Sequence, residues 1–258
     1  MISHFPIFSI MVLFLGAFLN TFASRFSRKF ANVVVFLSMA ISAGLVVSMI
    51  PTVFFRGEVI SYWMGSWAPE GGWAFGIGLE VDALSLFFAL VVISAVIVSG
   101  IYSFTYMNRD DSQRYFYTLY LMLAGSVLAL VLSGDLFNVF VMVEIMTFCA
   151  VALTCFRNSS EGSLEAAFKY LAVGSIGSTC ILVGTTLVYA NLHTLNMAQI
   201  CNLAASHMNP TMVLAFVFLF VGFCAKSFVF PFQPIDADAL AVAPASVSLM
   251  MSGVLTKC

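Results

Sequence analysis

The chain has 258 residues, of which 62% are hydrophobic and only 9% are charged. No water-soluble domain hides that much apolar surface, because even a folded domain needs a polar exterior. A net charge of −2 leaves no basic footprint for nucleic acid, so the expected surroundings are the lipid bilayer.

The N-terminal stretch MISHFPIFSIMVLFLGAFLN lacks a charged leading region and a small-residue cleavage site. It reads as a retained first span, not a cleaved signal. A span needs about 20 apolar residues at about 1.5 Å each. Eight candidates follow in order, near residues 5–22, 30–50, 83–104, 115–133, 136–156, 164–190, 212–230 and 244–258. The predicted fold is an all-α, polytopic transmembrane helix bundle with a broken seventh helix. Arg25, Arg28, Lys29, Arg109, Arg114 and Arg157 fall after spans 1, 3 and 5, whereas Arg56 alone follows an even-numbered span. That bias predicts a multi-pass plasma-membrane protein with its N-terminus outside.

Residues 51–82 contain YWMGSWAPEGGW, which cannot span. Its aromatics fit an interfacial hairpin or lid on the outer face, and equally an ordinary solvated loop. Spans 4 and 5 are joined by Ser133, Gly134 and Asp135 only, with Asp135 placed to cap span 5. Glu144 lies nine residues further on, roughly 14 Å deep. A carboxylate at that depth must be protonated or paired, and it reads as functional. Span 6 opens with Glu161, Glu165 and Lys169; the last two are spaced to pair on one helix face, and Lys169 is also near enough to the interface to snorkel. Gly174, Gly177, Ser178 and Gly184 form a small-residue stripe suited to close helix contact.

The segment from Met212 to Cys258 organises the chain. An apolar helix rises to Lys226, breaks at Pro231 and Pro234, crosses a link containing Gln233, Asp236 and Asp238, and restarts near Pro244. Lys257 lies in the next apolar segment. Each charge costs a few kcal/mol at mid-bilayer, so both lysines read as functional. Broken helices at membrane depth are tolerated only inside protein or along a watery cavity. The six cysteines form no C-x-x-C pair, and His193 and His207 share one loop without a carboxylate or thiol beside them. No metal or cofactor site is therefore expected on this chain.

Taken together, Glu144 in SGDLFNVFVMVEIM, Lys226 in GFCAKSFVFPF and Lys257 in SVSLMMSGVLTK resemble the marks of the antiporter-like membrane subunits. That family is shared by respiratory complex I, Mrp-type sodium/proton antiporters and energy-converting membrane hydrogenases. LEVDALSLFFALVV is similar to the opening of its third span and SLEAAFKYLAVGSIGS to its sixth, where some branches carry a lysine at the position of Lys169. The link departs from the family, which usually has a His after F-P-x and then Trp-Leu-Pro-Asp; here stand Gln233, Pro234, Ile235, Asp236, Ala237 and Asp238.

The resemblance implies three N-terminal spans over residues 1–114 and the first of two inverted five-helix repeats over 115–258. It implies proton, or sodium-coupled proton, translocation within a redox-driven complex such as a hydrogenase or complex I-like enzyme. Subunits of Mrp antiporters, and a purely structural membrane anchor, are the alternatives. Glu144, Lys226, Lys257 and Lys169 are the expected relay, with no catalytic redox site on the chain. Other membrane subunits, and indirectly a peripheral redox module, are the expected partners. The sequence stops one residue after Lys257, leaving span 8 at about 22 Å against a core of about 30 Å. A neighbouring membrane chain packed against Lys257 is the expected remedy.

Overall fold

In the computed structural model, the described residues are 2–67, 76–107, 113–156 and 162–256. Lys257, Arg109, Arg157, Glu161 and the tip of the tryptophan-rich loop (68–75) lie outside them, as does the side chain of Arg114.

Ten α-helices and one β-hairpin make up the described fold. Helices α1 (Phe5–Phe26) and α2 (Arg28–Ser48) form an antiparallel pair turning at Ser27. Pro51 lacks an N–H, and the end of α2 runs on through a wider π-helical turn, Pro51–Phe55. Strands β1 (Ile60–Trp63) and β2 (Gly78–Val81) then pair antiparallel, with Ile60 opposite Val81 and Trp63 opposite Gly78. The tryptophan-rich segment is therefore built on a hairpin.

Helix α3 (Ala83–Tyr106) opens on a reciprocal cap: Ser85 N donates to Asp82 Oδ1 at 2.7 Å and Asp82 N donates to Ser85 Oγ at 2.8 Å. Helices α4 (Gln113–Val131) and α5 (Leu136–Thr154) follow, with Asp135 capping α5 through Asn138 N at 2.9 Å. Helix α6 (Ser163–Leu192) is the longest, at 30 residues. A short helix, α7 (Met197–Ala204), separates His193 from His207, where the sequence suggested a plain loop. Helix α8 (Pro210–Lys226) is capped by Asn209.

The link after α8 is not an irregular strap. Gln233–Val242 is helical (α9), because Pro234 falls in its first turn, where a proline's missing N–H has no partner to lose. Ser227–Phe232 forms the break before it, and Ala243 and Pro244 form the joint after it. Helix α10 (Ala245–Met250) then runs into a π-helical turn, Met251–Leu255.

Each of the eight apolar segments contains a helix among the described residues. Five helices are long and apolar enough to cross a membrane, and Tyr115–Val131, Pro210–Lys226 and Ala245–Leu255 are shorter apolar helices. Phenylalanines such as Phe8, Phe18, Phe22 and Phe36 stand more than half exposed on the flanks, where lipid covers them at no cost. The core centres on α4, whose Phe116, Tyr117, Tyr120 and Leu121 are wholly or almost wholly buried. Several buried hydroxyls are satisfied between or within helices: Tyr120 OH donates to Val96 O at 2.6 Å, and Ser42 Oγ to Ser9 O at 2.9 Å.

Loops at one end are tied into a plate. Glu80 N donates to Leu132 O at 3.0 Å and Gly134 N to Gly78 O at 3.0 Å, joining the hairpin to the α4–α5 turn. The same turn is held to the loop before α7 by Leu136 N to Leu195 O and Met197 N to Gly134 O, both at 2.9 Å. This plate fixes the height at which α5 presents Glu144 and Thr147.

Candidate functional site

Helices α6 and α8 carry the site because they touch backbone to backbone. A Cβ added at Gly222 would lie 2.8 Å from Gly177 O, and one at Gly184 would lie 3.0 Å from Ala215 O. Glycine permits that approach, and the approach delivers Lys226 to the floor formed by Gly174 and Gly177.

Lys226 is the last residue of α8 and is only 8% exposed. An isolated ammonium there would be costly. Three features offset that cost. Lys226 Nζ donates to Thr147 Oγ1 at 2.7 Å. The carbonyl end of α8 favours a cation by about 0.3–1 kcal/mol. Glu144, three residues before Thr147 on α5, is within electrostatic reach. Glu144 and Lys226 do not form a contact ion pair, and Glu144 is half-buried at the ninth position of the 19-residue helix.

Immediately after Lys226 the helix ends. Phe228 adopts a left-handed conformation with φ of 50° and packs its ring 4.8 Å from Tyr170. Pro231 lies in this break, while Gln233 and Pro234 open α9. Asp236 acts electrostatically on the buried Tyr170. Asp238 does something the sequence did not indicate: it reaches Lys169, 69 residues away. Lys169 Nζ is 2.7 Å from Glu165 Oε1, the expected partner, and 3.4 Å from Asp238 Oδ2. The start of α6 and the linking helix are thereby tied through one half-exposed cation.

A cavity of about 740 Å³ reaches Lys226. Ser227 and Thr256 also line it, and Glu80, Asp82 and Ser85 line it beside the hairpin. The backbone N–H of Ser85 holds the Asp82 carboxyl below the usual carboxylate range, so it stays ionised at neutral pH. Burial pushes Asp135 the other way. Lys257 lies outside the described residues, but its neighbour Thr256 lines this cavity. Among the described residues, no group of three or more His, Cys, Asp or Glu side chains is placed to hold a metal.

The structure thus gathers Glu144, Thr147 and Lys226 in one place and Glu165, Lys169 and Asp238 in another. Thr147 was not singled out in the sequence; its signal was its spacing, one helical turn from Glu144 on the same face.

Comparison with known proteins gives consistent matches. Residues 133–258 match the profile of the transmembrane family described as NADH:quinone oxidoreductase/Mrp antiporter. Residues 67–117 match that of the N-terminus of chain 5 of NADH-ubiquinone oxidoreductase (complex I). The NADH-quinone oxidoreductase subunit N of Desulforudis audaxviator is 30% identical over 261 residues, covering 100% of this chain and 51% of that protein. Among solved structures, a chain of the membrane-bound sulfane sulfur reductase, an archaeal respiratory membrane complex, superposes with a TM-score of 0.90 at 25% identity, over 98% of this chain and 50% of its own. A chain of the Mrp complex from Dietzia sp. DQ12-45-1b superposes with a TM-score of 0.83 at 26% identity, over 99% and 46%. The chain spans about half the length of the curated relatives it matches.

Proposed function

The chain belongs to the antiporter-like membrane-subunit family of complex I and the Mrp antiporters, and on that premise we propose that it moves protons, or sodium-coupled protons, as one membrane subunit of a larger complex. The observation that carries this reading is Lys226, 8% exposed at the end of a broken helix and opening on a cavity with charged walls. A buried lysine of this kind is costly unless its charge is used.

In the proposed cycle, residues 115–258 are the working repeat and residues 1–114 its support. Glu144 stabilises the ammonium of Lys226 when its carboxylate swings towards the lysine. At an effective dielectric of 20, two charges attract by about 4 kcal/mol at 4 Å and about 2 kcal/mol at 8 Å. Parting them loosens the lysine's hold on its proton by about 2 kcal/mol, and the proton leaves along the cavity towards Lys257. The link, with Pro231, Gln233, Pro234, Asp236 and Asp238, carries the chain on from the broken helix, and Lys169 anchors it through Asp238.

The similarity to chains of two multisubunit membrane complexes supports a setting among other membrane subunits. In this reading a neighbouring segment or chain packs against Lys257 and receives the proton. A redox module drives the complex, or in the Mrp-like case a sodium gradient exchanges with it. The clustering of Arg25, Arg28 and Lys29 at the α1–α2 turn supports an N-terminus outside the plasma membrane. A thiol probe that cannot cross membranes should reach a Ser27→Cys variant only from the cytoplasmic side; labelling from outside reverses the orientation.

The test of the function itself is coupled ion movement in sealed vesicles, read with a pH-sensitive acridine dye. Lys226→Ala in the assembled complex should abolish the specific signal. Lys169→Ala should lower it only a few-fold, because Lys169 is 44% exposed and lies two turns into α6, from where its side chain can reach the interface. Undiminished flux in Lys226→Ala would leave the chain an anchoring role and remove the transport reading.

A further inference from the structure

Lys226 must be held in place both with and without its proton, and the residue that touches it is a threonine. Lys226 Nζ donates to Thr147 Oγ1 at 2.7 Å, and that hydroxyl donates to Val143 O at 2.7 Å. Thr147 is itself 4% exposed. Its methyl group packs over Gly174, where an added Cβ would lie 2.8 Å from Thr147 Cγ2 and 3.7 Å from Lys226 Nζ. Three helices, α5, α6 and α8, therefore meet at one threonine side chain.

We propose that Thr147 is a positioning residue that keeps Lys226 docked on α5 in both of its protonation states. This rests on the transport reading above. An ammonium has three donors and no acceptor, so it needs an acceptor such as a hydroxyl oxygen or a carboxylate. A neutral amine has a lone pair, which a carboxylate cannot satisfy and a hydroxyl can. With Lys226 charged, the hydroxyl accepts from Nζ and gives its own hydrogen to Val143 O, the arrangement in the structure. Once Lys226 has released its proton into the cavity, the hydroxyl turns about Cβ–Oγ and donates to the amine. Val143 O loses little, because the backbone N–H of residue 147 still bonds to it within α5. No covalent bond at Thr147 breaks, and the one proton that leaves comes from the lysine. Glu144 sets the charge of the site, and Thr147 sets the place of the amine.

The test compares Thr147→Val, which keeps the shape and removes the hydroxyl, with Thr147→Ser, which keeps the hydroxyl and removes the methyl. Both are made in the complete complex and assayed in the same vesicles as Lys226→Ala. Thr147→Val should slow coupled flux at least tenfold, while Thr147→Ser should stay within about threefold of the parent. A Thr147→Val rate within threefold of the parent overturns the proposal. So does an equal loss in both variants, because the methyl contact with Gly174 would then be the cause. If Thr147→Val fails to accumulate in membranes, Thr147→Ala takes its place with the same two readings. Loss in Lys226→Ala with full activity in Thr147→Val rejects the positioning role alone. Full activity in Lys226→Ala rejects it together with the transport function.

Discussion

Glu144→Gln should leave the protein in the membrane and cut coupled ion movement at least tenfold. The substitution is nearly isosteric and removes only a charge, so packing around α5 has no reason to change. The structure places Glu144 one turn from the hydroxyl that holds Lys226, near enough to act on the lysine and without a contact ion pair. At distances of 4 to 8 Å the carboxylate contributes about 2–4 kcal/mol to the charged lysine. Removing about 2 kcal/mol changes an equilibrium roughly thirtyfold, since 1.4 kcal/mol is tenfold. The measurement is initial flux in vesicles normalised to the amount of assembled protein. Unchanged flux would assign Glu144 a structural role.

Gly222→Ala is expected to be as damaging, for a different reason. Within a helix, glycine to alanine ordinarily stabilises by about 0.5–1 kcal/mol. At Gly222 the sign reverses, because the new Cβ would stand 2.8 Å from Gly177 O and 2.9 Å from Ile181 N. Those are backbone atoms and cannot swing aside, so α6 and α8 must part and carry Lys226 away from Thr147. Overpacking of this kind costs about 1–3 kcal/mol. Gly44, whose added Cβ would meet nothing within 4 Å, is the control, and Gly44→Ala should be neutral or mildly stabilising. Melting of the detergent-extracted protein and flux in vesicles should both fall for Gly222→Ala and not for Gly44→Ala. Equal behaviour of the two variants would show that the α6–α8 seam does not position the lysine.

Much of this fold was legible because lipid imposes a simple code. A run of apolar residues must be a helix, and a charge within such a run must be accounted for. That is why Glu144 and Lys226 stand out in the sequence. The small-residue stripe of α6 was legible for the same reason, since Gly174, Gly177 and Gly184 waste packing area unless another backbone approaches.

What escaped the sequence were residues whose partners are distant or whose habits are ambiguous. Thr147 is an ordinary helical threonine by type, one that bonds back to the carbonyl four residues before it, as it does here to Val143. Only the arrival of Lys226 from 79 residues away gives it a second partner. Asp238 was placed in a link that two prolines made appear irregular. Pro234 instead starts a helix, and that helix turns Asp238 towards Lys169. Helix α7 was missed because its eight residues make barely two turns, too short a run to be told from a loop by pattern alone.

The central claim is that Glu144 and Lys226 act as one unit in moving an ion across the membrane. A double-mutant cycle tests it most directly, with Glu144→Gln, Lys226→Ala and the combined variant each assayed for coupled flux in sealed vesicles of equal protein content. The account predicts that Lys226→Ala alone abolishes specific flux and that adding Glu144→Gln lowers it no further. It also predicts that the residual flux of Glu144→Gln disappears when the lysine is removed. Measurable flux in Lys226→Ala that falls further by the full Glu144→Gln factor would mean that the two residues act independently, and would contradict the account.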